Sequence, residues 1–312
     1  MNKKIISLFA LALSVAFVFT SCQKDKNDKL DGNVEQFNAD NNYYKGESDQ
    51  IDNDINSALN DIPAFGGRKE EAYSSPMCGC TIDSSQIDSL ILIFNFDGVT
   101  PCFSPSRTRS GQIKVELTSG AQWGDAGSVL KLTYIDFKVT RMSDNASITF
   151  NGVKTLKNIN GNNWIALYLG TGTFKYQERA FNIHVEFSGG DTAIWNSARM
   201  TEWSYSAGQN NITFTSKGDT TVNGFANTDS WGTDRWGGDF TVYYNTPILS
   251  DTYCGLWRAK SGELVDHLSM GDFTLTLGVD QNGNASTLQC AYGYKITWTG
   301  SSGNVSSAIL SY

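Results

Sequence analysis

The chain has 312 residues, a formal net charge of −8 from 24 basic and 32 acidic residues, and a hydrophobic share of 40%. Such a chain can bury a core, which excludes a wholly disordered polymer and a polytopic membrane protein, and its acidic balance lacks the positive field that nucleic-acid binding needs. With 18% charged residues, 30 Gly, 5 Pro and 12% aromatics, the composition favours strands and turns over helical bundles or coiled coil.

The N-terminus carries an address. Lys3 and Lys4 precede an uncharged apolar run of 15 residues, Ile5 to Phe19, and then comes Thr20-Ser21-Cys22. As a helix that run rises only about 22 Å against a hydrocarbon core of roughly 30 Å, so it reads as a secretory signal peptide and not as a span. A small residue directly before a cysteine at the end of the run resembles the lipobox cleaved by lipoprotein signal peptidase. Residues 1–21 are then a lipoprotein signal peptide, and Cys22 becomes the acylated, palmitate-bearing first residue, a membrane anchor.

Removing residues 1–21 takes away two lysines and no acid, which leaves −10 on the mature chain, of which residues 23–62 carry −6. Residues 22–45 are expected to form an acidic, flexible tether, because its opening Gln23-Lys24-Asp25-Lys26-Asn27-Asp28 offers no apolar side chain to bury. That opening also resembles the Lys-Asp-acidic export signals that follow the lipidated cysteine in surface lipoproteins of the Bacteroidota, although Lys26 interrupts the acid run. The expected address is the cell envelope, as an outer-membrane lipoprotein facing the periplasm or displayed on the surface.

From Gly46 to Ile62 the apolar residues Ile51, Ile55, Leu59 and Ile62 recur at helical spacing. They predict one short amphipathic helix with Ser48 as N-cap, stopped by Pro63, in a segment 46–75 that ends in a linker. Beyond it the period changes to two. Leu90, Leu92, Phe94 and Phe96 alternate, as do the runs Phe181-Ile183-Val185-Phe187, Phe240-Val242-Tyr244, Phe273-Leu275-Leu277 and Tyr292-Tyr294-Ile296-Trp298. Asp97-Gly98, Asn151-Gly152, Asn160-Gly161, Gly189-Gly190, Asn223-Gly224 and Asn282-Gly283 read as hairpin turns between strands. Residues 76–312 are therefore expected to be an antiparallel all-β domain, a β-sandwich or an extended β-meander, with two similar halves as one arrangement open to it. An outer-membrane barrel would need apolar girdles on every strand and no lipidation signal, so it fits less well.

Five cysteines follow Cys22, and export places them in oxidising surroundings. Cys102 is followed by Arg109-Ser110-Gly111-Gln112-Ile113 and Cys254, at nearly the same distance, by Lys260-Ser261-Gly262-Glu263-Leu264. This half-repeat predicts Cys80 with Cys102 and Cys254 with Cys290, leaving Cys78 over. Cys78-Gly79-Cys80 does not make a zinc site, having only His184 and His267 as further soft ligands.

Together, Cys80, Cys102 with Arg107-x-Arg109-Ser110-Gly111-x-Ile113, Thr201-x-Trp203, Thr241-Val242, Thr246-Pro247-Ile248-Leu249, Cys254 and Cys290 resemble a group of uncharacterised lipoproteins of the Bacteroidota, over about residues 50–312. The resemblance implies the all-β fold, the address and the four-cysteine framework, and it implies no catalytic residue. Cys78 and Trp236 depart from that pattern.

Catalytic fingerprints are missing: there is no nucleophile elbow, His-Glu-x-x-His, P-loop or GxGxxG. His184, with Asn182 and Glu186 on the polar face of its strand, and His267 after Asp266 are the natural general-base candidates. The most site-like stretch is Asp229-Ser230-Trp231-Gly232-Thr233-Asp234-Arg235-Trp236-Gly237-Gly238-Asp239. There Trp231 and Trp236 suit stacking on sugar rings, while Asp229, Asp234 and Asp239 suit hydroxyl groups or a Ca²⁺ ion. Trp195, Arg199, Trp203 and Tyr205 share a strand face and read as core or cross-strand packing. The expected function is a non-catalytic binding or structural module of the cell envelope whose partner is a glycan or an envelope protein. The alternative is an envelope hydrolase acting on glycan or peptide.

Overall fold

The structure, a computed structural model, describes residues 30–66, 77–102, 106–162, 167, 170, 172–206, 211–255, 258–300 and 303–312. Residues 1–21, expected to be a signal peptide, and Cys22 lie outside the described residues. No described helix is long and apolar enough to cross a membrane.

The single helix expected before the sheet is present, and it is longer than the 46–62 segment. It is α1 (Gly32–Leu59), 28 residues, capped at its start by Asp31, whose side chain accepts the Asn33 N–H at 2.8 Å. Residues 32–45, expected as tether, are its first half. Val34, Phe37 and Tyr44 are buried there, followed by Ile51, Ile55 and Leu59 on the same helix. Ser48, the expected cap, is instead an interior position. At the far end the chain turns through Pro63–Phe65, and Trp123 donates its backbone N–H to the Phe65 carbonyl.

The strands are β1 (Cys80–Asp83), β2 (Ile91–Asp97), β3 (Arg107–Ser119), β4 (Val129–Arg141), β5 (Ser147–Asn158), β6 (Phe174–Phe187), β7 (Thr192–Ser206), β8 (Asn211–Gly218), β9 (Thr220–Val222), β10 (Phe225–Thr233), β11 (Asp239–Asp251), β12 (Ala259–Leu268), β13 (Gly271–Val279), β14 (Gly293–Thr299) and β15 (Val305–Ser311). All pair antiparallel in one sheet that runs β1 to β7, then β10 to β15, so of the two architectures expected the meander is the one built. β8 and β10 lie end to end in one lane, each pairing with β7 and β11. They meet where Gly218 faces the Asn227 carbonyl, and a Cβ on Gly218 would come within 1.8 Å of that oxygen.

Alternation buries one face. In β4, Leu130, Leu132, Tyr134, Phe137 and Val139 point inward; in β6, Phe174, Tyr176, Ala180, Ile183, Val185 and Phe187 do. Phe137 and Ile183 sit one step out of strict alternation, because β4 and β6 carry register shifts there. Asn151-Gly152, expected as a hairpin turn, lies inside β5 opposite both shifts: β4 and β6 each bulge by one residue across from it, with Asp136 at φ +47° and Asn182 at φ +54°, and Gly152 lies against Ile183. The two bulges keep the apolar residues of both long strands facing inward on either side of the shift.

A bend of the sheet is required by the contacts of α1. β3 and β11 are six strand spacings apart, about 29 Å across a flat sheet, yet a helix only about 10 Å wide touches both. Glu47 is paired with Arg107 of β3, and Lys45 donates to the Tyr244 hydroxyl of β11. The sheet therefore curls around the helix. Trp195 of β7 shows the packing, lying against Phe37 and Tyr44 of α1 and against Phe240 of β11 with ring centroids 6.3, 5.1 and 4.8 Å away. Trp195, Arg199 and Trp203 are all buried, as their shared face implied.

Two disulfides close loops near opposite ends of the sheet. Cys254–Cys290 is as expected, but Cys102 is bridged to Cys78 and not to Cys80. Gly79, at φ +67°, turns Cys78 toward the β2–β3 connection, while Cys80 is held in register opposite Phe96 in β1. With sequence separations of 24 and 36 residues, each bridge contributes about 3 to 4 kcal/mol in the chain-entropy description.

Candidate functional site

Six of the seven charged residues of α1 meet an opposite charge from the sheet. Asp40 accepts from Nε and Nη2 of Arg235 at 2.7 and 2.6 Å. Lys45 donates to Asp229 Oδ2 at 2.8 Å and to the Tyr244 hydroxyl at 2.6 Å. Glu47 pairs with Arg107, Asp52 with Lys154, and Asp54 accepts from Arg109 Nη1 at 2.6 Å. Asp49 takes the Arg199 guanidinium, with Nη1 3.2 Å from Oδ2. A slide of α1 by one turn would strand these charges indoors at about 3 to 5 kcal/mol for each broken pair, so the ladder sets the helix register.

The ladder is densest at mid-helix. Glu178 of β6 accepts from Arg199 Nη2 at 2.6 Å and from Ser197 Oγ at 2.5 Å. Lys154 of β5 donates to Ser48 Oγ at 2.9 Å besides its contact with Asp52. Burial pushes the Asp52 carboxyl up to about 7 against the pull of Lys154. Glu178 is as deeply buried, but Arg199 and then Lys154 outweigh that burial and hold it down at about 2. Oxygens of Asp49, Asp52 and Glu178 lie within 4.8 Å of one another, the spacing of a metal ligand set. Lys154 and Arg199 already neutralise two of those three carboxylates, so a divalent ion would enter beside two cations.

A second interior acid has no such partner. Asp266 of β12 is 1% exposed on the inner face, and neither carboxyl oxygen has a hydrogen-bond partner among the described residues. Burial raises it to about 7, with Lys45 pulling down and Asp229 pushing up. Between about pH 4 and pH 7 the unfolded chain has lost this proton while the folded chain keeps it, so stability falls as pH rises through that window. Asp266→Asn is expected to match the wild type near pH 4 and to be more stable by several kcal/mol at pH 8. Denaturant midpoints measured at both pH values check this.

The loop singled out in the sequence is taken apart by the fold. Asp229 faces the interior on Lys45, and its Oδ1 accepts the Tyr244 hydroxyl at 3.1 Å. Asp234 closes its own turn, with Oδ1 accepting the N–H groups of Trp236 and Gly238 at 2.9 and 2.8 Å. Asp239 is exposed at the start of β11. The three carboxylates do not form one ligand set, which removes the Ca²⁺ reading of this loop. Trp231 is on the outer face, its ring edge-on to Phe181 at 6.0 Å, and Phe181 is 55% exposed. Trp236, at the tip of the β10–β11 turn, is 47% exposed.

The turn that carries Trp236 is tied to the rest of the fold through its neighbour Arg235. Arg235 beside it reaches inward to Asp40, bonds Asp191 at 3.2 Å and lies 4.2 Å from the Phe187 ring centroid. His184 is exposed on the outer face of β6. His267 Nδ1 is 2.5 Å from Asp272 Oδ1, and Phe225 covers its ring at 4.7 Å while stacking on Tyr243 at 4.8 Å. Asp49, Asp52, Lys154, Glu178 and Asp266 were not found from sequence. For Asp49 and Asp52 the sequence signal is the run of acids within the apolar periodicity of α1; Lys154, Glu178 and Asp266 stand at inward positions of their strands, where a charge breaks the apolar alternation.

No protein-family model, curated protein or solved structure matches the chain. Geometry is therefore what bears on function.

Proposed function

We propose that this chain is a lipid-anchored protein of the cell envelope whose curled β domain is a non-catalytic binding module for glycan. The observation that carries the reading is Trp236, an indole 47% exposed on a turn locked from beneath by Arg235 and Asp40. An exposed ring on a turn whose backbone is already tied down costs less ordering when a sugar face stacks on it, and indoles supply large contact area at such sites. Phe181 and Trp231 give a second, edge-on ring pair on the outer face of the sheet. The charged interior supports a binding role over a hydrolytic one, because its carboxylates are held by Lys154 and Arg199 behind α1, where a polymer chain has no access. The address rests on Lys3, Lys4, the apolar run and Ser21-Cys22, and on the resemblance to Bacteroidota lipoproteins.

The test is a glycan array probed with the chain from residue 23 onward. Wild type is expected to bind a polysaccharide, Trp236→Ala to lose about tenfold or more in affinity, and Trp231→Ala to lose less, since its ring is partly covered by its edge-on contact with Phe181 on the outer face. Full affinity in Trp236→Ala, or no binding by wild type, would overturn the glycan reading. For the anchor, Cys22→Ser is expected to abolish incorporation of labelled palmitate in a bacterial host.

A further inference from the structure

We propose that Lys154 and Asp52 condense into an intramolecular isopeptide bond that staples α1 to β5, with Glu178 carrying the proton. The three side chains come from three elements and meet in the buried space between α1 and the sheet. Lys154 Nζ is in contact with Asp52 Oδ1, and the two side chains are 1% and 0% exposed; that of Glu178 is 1% exposed. On the inner face Lys154 stands opposite Ala180, which makes Glu178 its diagonal neighbour on β6. An oxygen of Glu178 lies within 4.8 Å of one of Asp52. Tyr134 flanks the pair, its ring centroid 5.8 Å from Nζ.

The chemistry balances without an oxidant, a metal or a cofactor. A proton passes from the Lys154 ammonium to the touching Asp52 carboxylate, giving an uncharged amine and acid, a minor form that the dry surroundings make accessible. The Nζ lone pair attacks Cγ and the C–N bond forms. Glu178 takes the second proton from nitrogen and delivers it to the departing hydroxyl, the Cγ–O bond breaks, and one water leaves. The product is a neutral secondary amide whose remaining N–H keeps Ser48 Oγ as acceptor. Two buried charges vanish and the helix can no longer leave the sheet. Lys45 and Asp229 are an internal reference: they touch in the same way, but the Lys45 side chain is 19% exposed, so water stabilises its ammonium.

Mass spectrometry of the reduced, denatured chain tests this. Wild type is expected to be one water lighter than its sequence, and digestion to yield a branched peptide joining the segments around Asp52 and Lys154. Asp52→Asn offers an amide at the same atom, so it is expected to lose one ammonia in place of water. Lys154→Arg is expected to keep its full mass, and Glu178→Gln to accumulate uncondensed chain. A wild-type chain of full mass overturns the proposal, as does a branch at Lys45 and Asp229 instead; complete condensation in Glu178→Gln overturns the role given to Glu178.

Discussion

Arg199→Met is expected to destabilise the fold by about 3 to 5 kcal/mol, the loss seen when one member of a buried charge network is removed and its partners stay behind. Arg199 is 3% exposed and lies between Asp49 of α1 and Glu178 of β6, with Nε 3.8 Å from Asp229 of β10. Methionine fills much of the volume, so the loss is electrostatic: Glu178 keeps Ser197 and Lys154 but loses the cation that does most to hold it ionised. Guanidinium denaturation reads the change. The double variant Arg199→Met with Glu178→Gln is expected to recover part of it, because the stranded charge then goes too. Additive losses would show that Arg199 acts by packing alone.

Trp195→Ala is expected to cost about 3 to 5 kcal/mol and to loosen the first half of α1. Its indole is fully buried and is the surface on which Phe37, Tyr44 and Phe240 meet. The cavity left by alanine opens between the helix and two strands, among the rings of Phe37, Tyr44 and Phe240. Limited proteolysis is expected to cut within residues 32–45 first, and near-UV circular dichroism to lose signal. Loss of stability without new cleavage in that segment would place the weak point in the sheet.

Much of the sheet was legible because a half-buried strand writes its burial as alternation. Leu92, Phe94 and Phe96 in β2 and Phe181 to Phe187 in β6 show it. The same pattern misplaces one residue of the second run: Phe181 is exposed, since the bulge opposite Asn151-Gly152 shifts β6 by one step. Asn-Gly means a positive φ, and a bulge needs that as much as a turn does. The pairing of Cys254 with Cys290 followed from local spacing. The choice between Cys78 and Cys80 did not, because it depends on how Gly79 bends the chain before β1. At the candidate site, the sequence put Trp236 in a Gly-rich loop but left open whether its indole is exposed or folded back onto the sheet, and Asp229, which looked like its partner, faces the interior on Lys45.

The acidic N-terminal segment shows where sequence stops and assembly begins. Its charge, its apolar spacing at Ile51, Ile55 and Leu59 and the strand periods after it are local properties, and they were enough for an all-β domain preceded by one helix. What those acids face is not local. Asp40, Glu47, Asp49, Asp52 and Asp54 look like a solvated stalk until Arg235, Arg107, Arg199, Lys154 and Arg109, scattered over nearly 130 residues of later sequence, arrive on one concave surface. A carboxylate reads as exposed from composition because burying it alone is prohibitive; it is buried here because the curl of the sheet brings a cation to each one.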